Sequence, residues 1–457
     1  MADTRTEARL QDADLFSDLL VRLAGKHRVP GAQLAVRHHG ETVAVEAGEQ
    51  AVGGGRHVTG ETAFPTGSVS KAFTATLAMI LVADDDLDLD APVGEVLPEV
   101  DELGDEFTLR RILSHTSGLT ADPRSGDAEY GSLRRYVLDH CRPANLMQPP
   151  GAAFSYSNLG YVLTGRLVEV ITGMSWWDAM ESVLLRPLGI DPVFVGARLP
   201  HRRRVAAGHS VNKVTGRTRP VRQSVDEAEA PAGALAMSAT DLVRLGSMHL
   251  GGGLPGLLPA DQAAWMREPV TGAEPFGLAD GWGLGLATFR SGETTWVGHD
   301  GNGDGTSCHF RIDPAGDWAI AMTSNANTGY GMWQELLGEL GAAGIPIEPY
   351  QPVTSGRAIR APLACAGTYG NGDVQYEVSI RPDGRLDLAA DGDSLGQASC
   401  HDDLTFVLRD PATPDQTFAG RFWQDGSTGL VDGVQLAGRL ARRCARARQA
   451  DRQRLTA

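Results

Sequence analysis

Three lysines, Lys26, Lys71 and Lys213, stand among 41 basic residues. Arginine serves surface charge as well as lysine does but does not give up its proton near neutral pH, so each lysine is a candidate for proton chemistry. Lys71 closes the run Ser68-Val69-Ser70-Lys71, and Phe73, Leu77, Ile80 and Leu81 follow with the period of a helix. Residues i and i+3 share a helix face, so the Ser68 hydroxyl and the Lys71 amine can meet. A helix start favours negative charge and disfavours a cation, so Lys71 breaks a local placement rule. Such breaks concentrate at functional sites. Burial and the helix dipole both push a lysine pKa down, which turns the amine into a proton acceptor for a serine nucleophile. The same spacing recurs at Ser210-Val211-Asn212-Lys213, but that polar stretch runs into Thr215-Gly216, a hairpin-like turn, and no apolar helix follows. The second copy is a coincidence of spacing.

A second group of residues gives the first a context. Phe154-Ser155-Tyr156-Ser157-Asn158 follows Pro150-Gly151 and precedes Leu159-Gly160-Tyr161. With Ser68 and Lys71, it makes the chain resemble the serine β-lactamase and penicillin-binding-protein superfamily. The likeness is to its class C β-lactamase-like branch of esterases, D-amino-acid peptidases and acyltransferases. Its Tyr-x-Asn motif falls on Tyr156 and Asn158. Leu113-Ser114-His115-Thr116-Ser117-Gly118-Leu119 and Pro231-Ala232-Gly233-Ala234 look like further stretches of the pattern, which spans roughly residues 15 to 340. The third motif is usually Lys-Thr-Gly or His-x-Gly on an edge strand; here it is Gly298-His299-Asp300-Gly301. Histidine does not carry a permanent charge, its unperturbed pKa being about 6.5. The resemblance therefore implies ester, amide or transacylase chemistry rather than efficient β-lactam hydrolysis.

What the resemblance implies for the reaction is acyl transfer through an acyl-serine. Ser68 attacks an ester or amide carbonyl, and Lys71 and Tyr156 form the relay that takes and returns its proton, either being the immediate base. The backbone N–H groups of Ser68 and Asn302 hold the oxyanion; losing one such donor typically costs about 2.7–4 kcal/mol. Asn158 is expected to hydrogen-bond Lys71 or the acyl side chain. His299, with Gly301 behind it, lines the acceptor side. The substrate is a small-molecule ester or amide, with an amine or alcohol acceptor in the transferase alternative, as in natural-product assembly. A catalytically silent binding protein is the remote alternative, which intact Ser68, Lys71 and Tyr156 oppose. No cofactor or metal is implied.

Other motifs fail on inspection. Asp300-Gly301-Asn302-Gly303-Asp304-Gly305 begins like a calcium loop, but Arg311 stands where the bidentate Glu belongs, and strands flank it where helices should. Gly305-Thr306-Ser307-Cys308-His309 approaches a G-x-S-x-G nucleophile elbow but lacks the last glycine. Cys141, Cys308, Cys365, Cys400 and Cys444 are scattered without metal-ligand spacing and read as reduced, packed thiols. Trp176-Trp177 at a helix start reads as core packing.

The elements that must position these groups follow from patterning. Residues 14–28 form an amphipathic helix with Leu15, Leu19, Leu20 and Leu23 on one stripe. Gln33–Arg37 and Thr42–Glu46 form a hairpin through His39-Gly40. Residues from about 107 to 190 are helical segments cut by Pro and Gly, and Ser175 with Asp178 and Ser238 with Asp241 look like capping boxes. Strand-like runs return at Trp282–Phe289, Thr294–His299, Cys308–Ile312 and Trp318–Thr323. A helix then carries Trp333, Leu336, Leu337 and Leu340. Strands at both ends with helices between them predict an α+β fold: an antiparallel sheet flanked by helices, closed by the two chain ends, with an inserted helical lobe. After a Pro-spaced stretch, runs at Tyr376–Ile380, Arg385–Leu388, Leu404–Leu408, Phe418–Trp423 and Val431–Leu436 predict a small antiparallel barrel. The expected division is a β-lactamase-like acyl-transfer domain over 1–345, a linker over 346–361, a lipocalin-like all-β domain over 362–445 and a basic tail over 446–457.

Composition bounds the partners. The chain has 457 residues, and 57 acidic against 41 basic residues leave a net charge of −16. That balance argues against nucleic acid and anionic membranes, which need a basic face. The arginines at 439, 442, 443, 446 and 448 read as a solvated end. Without a secretory pattern at the N-terminus or an apolar run of membrane length, the expected location is cytoplasmic.

Overall fold

The structure is a computed structural model that describes residues 13–123, 130–196, 202–352, 354, 356–410 and 413–444. Its first layer system is a seven-stranded antiparallel sheet. The strands are β1 (Gly31–His38), β2 (Glu41–Gly48), β3 (Gly281–Trp282), β4 (Ala287–Ser291), β5 (Thr294–Gly303), β6 (Thr306–Asp313) and β7 (Trp318–Ser324). Their order across the sheet is β2-β1-β7-β6-β5-β4-β3, so the first hairpin closes against the last strand. The expected run over 282–289 breaks in two at Gly285. Its φ is +86°, and a Cβ there would lie 2.2 Å from that of Ala75.

Alternation sorts the strands' side chains between two cores. Leu34, Val36, Ile320 and Met322 face helix α1 (Ala13–His27) and the later helix over Gly329–Ala342, with Trp333, Leu336, Leu337 and Leu340. Within α1 the buried residues are Phe16, Leu20, Leu23 and Ala24, while Leu15 is 38% exposed. The inward stripe thus starts one residue later than expected, because spacing i, i+4, i+7, i+8 fits Phe16 and not Leu15. On the opposite face Ala35, Phe310 and Ile312 pack against the helical lobe. At the centre of that lobe lies α2 (Ser70–Ala83), buried at every residue from Ser70 to Leu81. A helix apolar on all sides belongs inside, and α2 is buried beyond the single face its period suggested. Helix α3 (Asn158–Thr172) packs beside it, capped by the Ser157 hydroxyl, which accepts from the Gly160 N–H. Ser238 and Asp241 complete a capping box, whereas Ser175 accepts from the Asp178 N–H and donates to its carboxylate at 2.6 Å without the reciprocal backbone bond. Trp176 is buried and Trp177 packs beside it against the core, as expected.

The C-terminal strands form a closed eight-stranded antiparallel barrel. These are β8 (Gly367–Asn371), β9 (Val374–Ile380), β10 (Leu386–Ala390), β11 (Asp393–His401), β12 (Thr405–Asp410), β13 (Thr413–Gln424), β14 (Val431–Leu436) and β15 (Arg439–Arg443). The neighbours run β11-β10-β9-β8-β15-β14-β13-β12, and β11 pairs with β12 to close the ring. Its interior is a separate apolar cluster that includes Tyr369, Leu388, Phe406 and Phe422. Arg439, Arg442 and Arg443 are not a solvated end: they form β15, where Arg443 Nε donates to the Val431 carbonyl at 2.7 Å. Arg446 and Arg448 lie outside the described residues. Between sheet and barrel, Ile345 and Ile347 are buried beside α1, and Trp296 Nε1 donates to the Pro346 carbonyl at 2.7 Å. Among the described residues, no helix is long and apolar enough to cross a membrane.

Candidate active site

Ser68 sits in a single 3-10 turn, Gly67–Val69, that leads directly into α2. Gly67 has φ +52°, and a Cβ on it would stand 2.1 Å from the Asn302 carbonyl oxygen. The turn is therefore pressed against β5. Strand β4 pairs with β5 only as far as Gly298, so residues 299–303 are free on that edge and lie against the Ser68 turn. Gly301 shows the same closeness from the other side: its Cβ would meet the Thr66 oxygen at 2.1 Å and the Val69 nitrogen at 2.7 Å. Only glycine fits either position, and the fit brings the backbone at Asn302 beside Ser68.

Lys71, in the first turn of α2, is completely buried. Its Nζ lies 3.2 Å from Ser68 Oγ and donates to the Ala232 carbonyl at 2.8 Å. It also lies 5.2 Å from the centre of the Tyr156 ring and 5.7 Å from that of Tyr161. Burial pulls the Lys71 pKa down from 10.5 to about 7, against the opposing pull of the Asp122 carboxylate. Tyr156 is buried too, and burial pushes its phenol well above 10, only partly offset by the Ser68 hydroxyl. Its hydroxyl has no other protein partner. The site thus pairs an amine poised near neutrality with a phenol that keeps its proton.

The remaining expected residues are brought to the same place with different partners. Asn158 Nδ2 donates to Asp122 Oδ1 at 2.6 Å, and its buried Oδ1 has no protein partner. Of its two expected partners, Lys71 and the acyl side chain, Lys71 is not bonded to Asn158: its Nζ donates to the Ala232 carbonyl instead, and Asn158 Oδ1 stays unpartnered. His299 Nδ1 donates to the Asp300 carbonyl at 2.6 Å, which leaves Nε2 as a bare lone pair, buried and unpartnered. Burial and the nearby Lys71 hold the His299 pKa near about 3, so the ring is neutral. It meets the Trp282 ring edge-on at 5.3 Å.

Ser68 is partly exposed and opens into a cavity of about 480 Å³. Asn158, Gln223, Ala232 and Asn302 line it, together with three carboxylates, Asp226, Glu229 and Asp304. The second S-x-x-K copy is elsewhere: Ser210 and Lys213 are exposed on and beside a two-stranded hairpin over 208–221, as its polar sequence suggested. Four cysteines are buried thiols, but Cys444 is exposed, since it follows the last barrel strand. Among the described residues, no cluster of His, Cys, Asp or Glu could hold a metal ion. Asp300, the first residue of the would-be calcium loop, is instead clamped by Arg311 Nη1 and Nη2, each at 2.8 Å.

Several further residues around the site have no role that the sequence motifs assign. His115 stacks on Tyr156 at 4.3 Å and accepts the Ser157 N–H on Nδ1. From the barrel, the Gly438 carbonyl accepts the Tyr156 N–H at 3.0 Å, and Arg439 lies 3.7 Å from Asp122 Oδ2. Beneath β5, Ser307 Oγ lies 2.8 Å from His309 Nε2 and 2.9 Å from Asn302 Oδ1, and His309 Nδ1 lies 2.8 Å from Asp300 Oδ1.

A buried helix led by the Ser68 turn, the free end of strand β5 closing on that turn and a helical lobe behind it define the β-lactamase-like α+β class. The chain belongs to the Beta-lactamase family, whose model matches residues 15–340. It is 36% identical over 367 residues to penicillin-binding protein 4 of Amycolatopsis lactamdurans, covering 76% of this chain and 94% of that one. It is 30% identical over 297 residues to esterase EstB of Burkholderia gladioli, covering 57% and 75%. Among solved structures, SurE aligns with a TM-score of 0.84 at 38% identity, over 96% of this chain and all of that one. That alignment takes in the barrel as well as the sheet.

Proposed function

We propose that the protein is a serine hydrolase that cleaves an ester or amide through an acyl-Ser68 intermediate. The observation that carries this reading is the buried Lys71 amine, 3.2 Å from Ser68 Oγ with a pKa near about 7. At neutral pH a large share of Lys71 is uncharged, so its lone pair can take the Ser68 proton as Oγ attacks the carbonyl. Tyr156 keeps its proton and serves as a donor, passing it toward the leaving group and regaining one through Lys71. That division favours Lys71 as the immediate base. The tetrahedral oxyanion would sit between the N–H groups of Ser68 and Asn302, held together by the glycine contacts at 67 and 301. Neutral His299 would offer Nε2 as an acceptor to the incoming nucleophile rather than a charge to a carboxylate. Water then attacks the acyl-enzyme with the same base.

The cavity favours a second reading, transfer of the acyl group to an amine. Asp226, Glu229 and Asp304 line it, and a carboxylate wall concentrates ammonium groups beside Ser68. The relative EstB is by its name an esterase, and the barrel shared with SurE extends the likeness beyond the sheet. The test is intact-mass analysis after an activated ester, repeated with amine and alcohol acceptors. Acylation at Ser68 is expected, with release of acid in buffer and of amide when an amine is added. An acyl adduct at any other residue would overturn the assignment.

A further inference from the structure

Where the barrel meets the site, one residue, Asp122, holds three groups. The Asp122 side chain accepts from Asn158 Nδ2 at 2.6 Å and faces Arg439 Nη2 at 3.7 Å. Its carbonyl accepts the Asp373 N–H at 3.2 Å, and a Cβ at Gly372 would stand 1.8 Å from that oxygen, so the β8–β9 turn of the barrel is seated on it. One residue earlier, the Ala121 N–H donates to Asn371 Oδ1, and the Ala121 carbonyl accepts the Asn158 N–H. Arg439 in turn stands 5.9 Å from the Tyr156 ring centre.

We propose that Asp122 and Arg439 are a matched pair of positioning residues, one from the helical lobe and one from the barrel, that hold Asn158 and balance the charge around Ser68 and Lys71. The proposal rests on Lys71 being the base for Ser68. Asp122 favours a charged Lys71 and Arg439 disfavours it. Glu229 adds to the Asp122 side of that balance. His115 and His299 face Lys71 as neutral rings, and Tyr156 and Tyr161 present their faces. Burial pulls the Lys71 pKa down most, and the barrel thereby trims the pH at which Ser68 becomes a nucleophile.

The test uses the full chain and the pH dependence of kcat/KM for an activated ester between pH 5.5 and 9. Asp122→Asn removes the favourable carboxylate, so the rising limb moves to lower pH, by roughly half a unit or more. Arg439→Gln removes the opposing cation, so the limb moves to higher pH, and the double variant returns toward the wild-type profile. Opposite shifts are the signature, since lost packing alone would lower the rate without moving the limb in two directions. Arg439 is 34% exposed, so its variant keeps the test open even where Asp122→Asn fails to fold. Shifts of the same sign, or an unmoved limb in Arg439→Gln, would overturn the proposal. A wild-type enzyme that is never acylated at Ser68 would instead overturn the hydrolase reading.

Discussion

Among the described residues, two serines, Ser68 and Ser307, lie within hydrogen-bond reach of a buried base, and only one of the two opens to a cavity. Ser68 has Lys71 at 3.2 Å, is partly exposed and lines about 480 Å³ of space. Ser307 has His309 Nε2 at 2.8 Å, with Asp300 on the other ring nitrogen, the residue set of a serine triad, although the Ser307 hydroxyl proton goes to Asn302 Oδ1. Yet Ser307 and His309 are both wholly buried, the imidazole stacks on Trp333 at 5.2 Å, and a Cβ on Gly329 would touch Ser307 Cβ at 2.6 Å. No carbonyl can approach that hydroxyl. The Ser307 group braces Asn302 from beneath, while Arg311 clamps Asp300 and lies 3.6 Å over the Phe289 ring. Hydrogen-bond geometry alone therefore does not separate a nucleophile from a brace; access does.

The sharpest way to break the comparison is to delete each hydroxyl. Ser68→Ala is expected to abolish labelling by an activated ester, whereas Ser307→Ala keeps the label on Ser68 and loses at most about tenfold in rate. Intact mass with peptide mapping reads both. A label that moves to Ser307 in the Ser68→Ala protein would reverse the two roles. Deleting the base comes next. Lys71→Arg keeps a cation but offers no lone pair, so acylation should fall about as far as in Lys71→Ala, on the order of 10²–10⁴-fold. Single-turnover acylation within a few fold of wild type in Lys71→Arg would mean that charge, not proton transfer, is what Lys71 supplies. Wild-type acylation should itself rise with pH through about 7, as Lys71 loses its proton.

A third change leaves both serines and both bases in place and moves only the strand between them. In Gly301→Ala the new methyl meets the Thr66 oxygen and the Val69 nitrogen, so β5 must retreat from the Ser68 turn. Loss of one oxyanion donor predicts a fall of roughly 10²–10³ in kcat with little change in KM. Steady-state kinetics on one ester separate the two parameters; a rise in KM alone would place Gly301 in binding rather than in oxyanion stabilisation.

The sequence spoke clearly for one of the two serine groups and hardly for the other. Ser68, Lys71, Tyr156 and Asn158 are legible because helical spacing and motif bring them together locally. Ser307, His309 and Asp300 sit on two strands whose register is what unites them, and nothing in Thr306-Ser307-Cys308-His309 tells which faces point inward together. Asp122 and Arg439 were silent for a related reason, being 317 residues apart in the chain and joined only by the docking of the barrel. Three barrel strands escaped as well. Gly367–Asn371 and Asp393–His401 carry small or polar residues where a strand pattern wants branched ones, and Arg439–Arg443 hides Leu440 and Ala441 among arginines. The alternating run at 376–380 and the mostly apolar run at 318–323 had no such competitor, and both form strands.

The smallest expected effect is on stability, and it again sets the two bases apart. Lys71 is buried, and its pKa falls from 10.5 in the unfolded chain to about 7 in the folded one. Between those values the unfolded state binds more protons, so this group's contribution to stability rises with pH across that window. Below about pH 7 the folded protein carries the full cost of a buried ammonium. Lys71→Met keeps most of the side-chain volume and removes the charge, so it should stabilise the fold at pH 6, by roughly 1–3 kcal/mol, at the expense of acylation. The gain should shrink as pH rises and vanish above about 10. His309→Gln has the opposite sign: it leaves Asp300 and Ser307 short of a buried partner and should destabilise by about 1–3 kcal/mol. Denaturant midpoints at pH 6 and pH 9 for both variants decide the matter. A Lys71→Met protein no more stable than wild type at pH 6 would mean that the amine is solvated or paired well enough to stay charged, and then it is no base for Ser68.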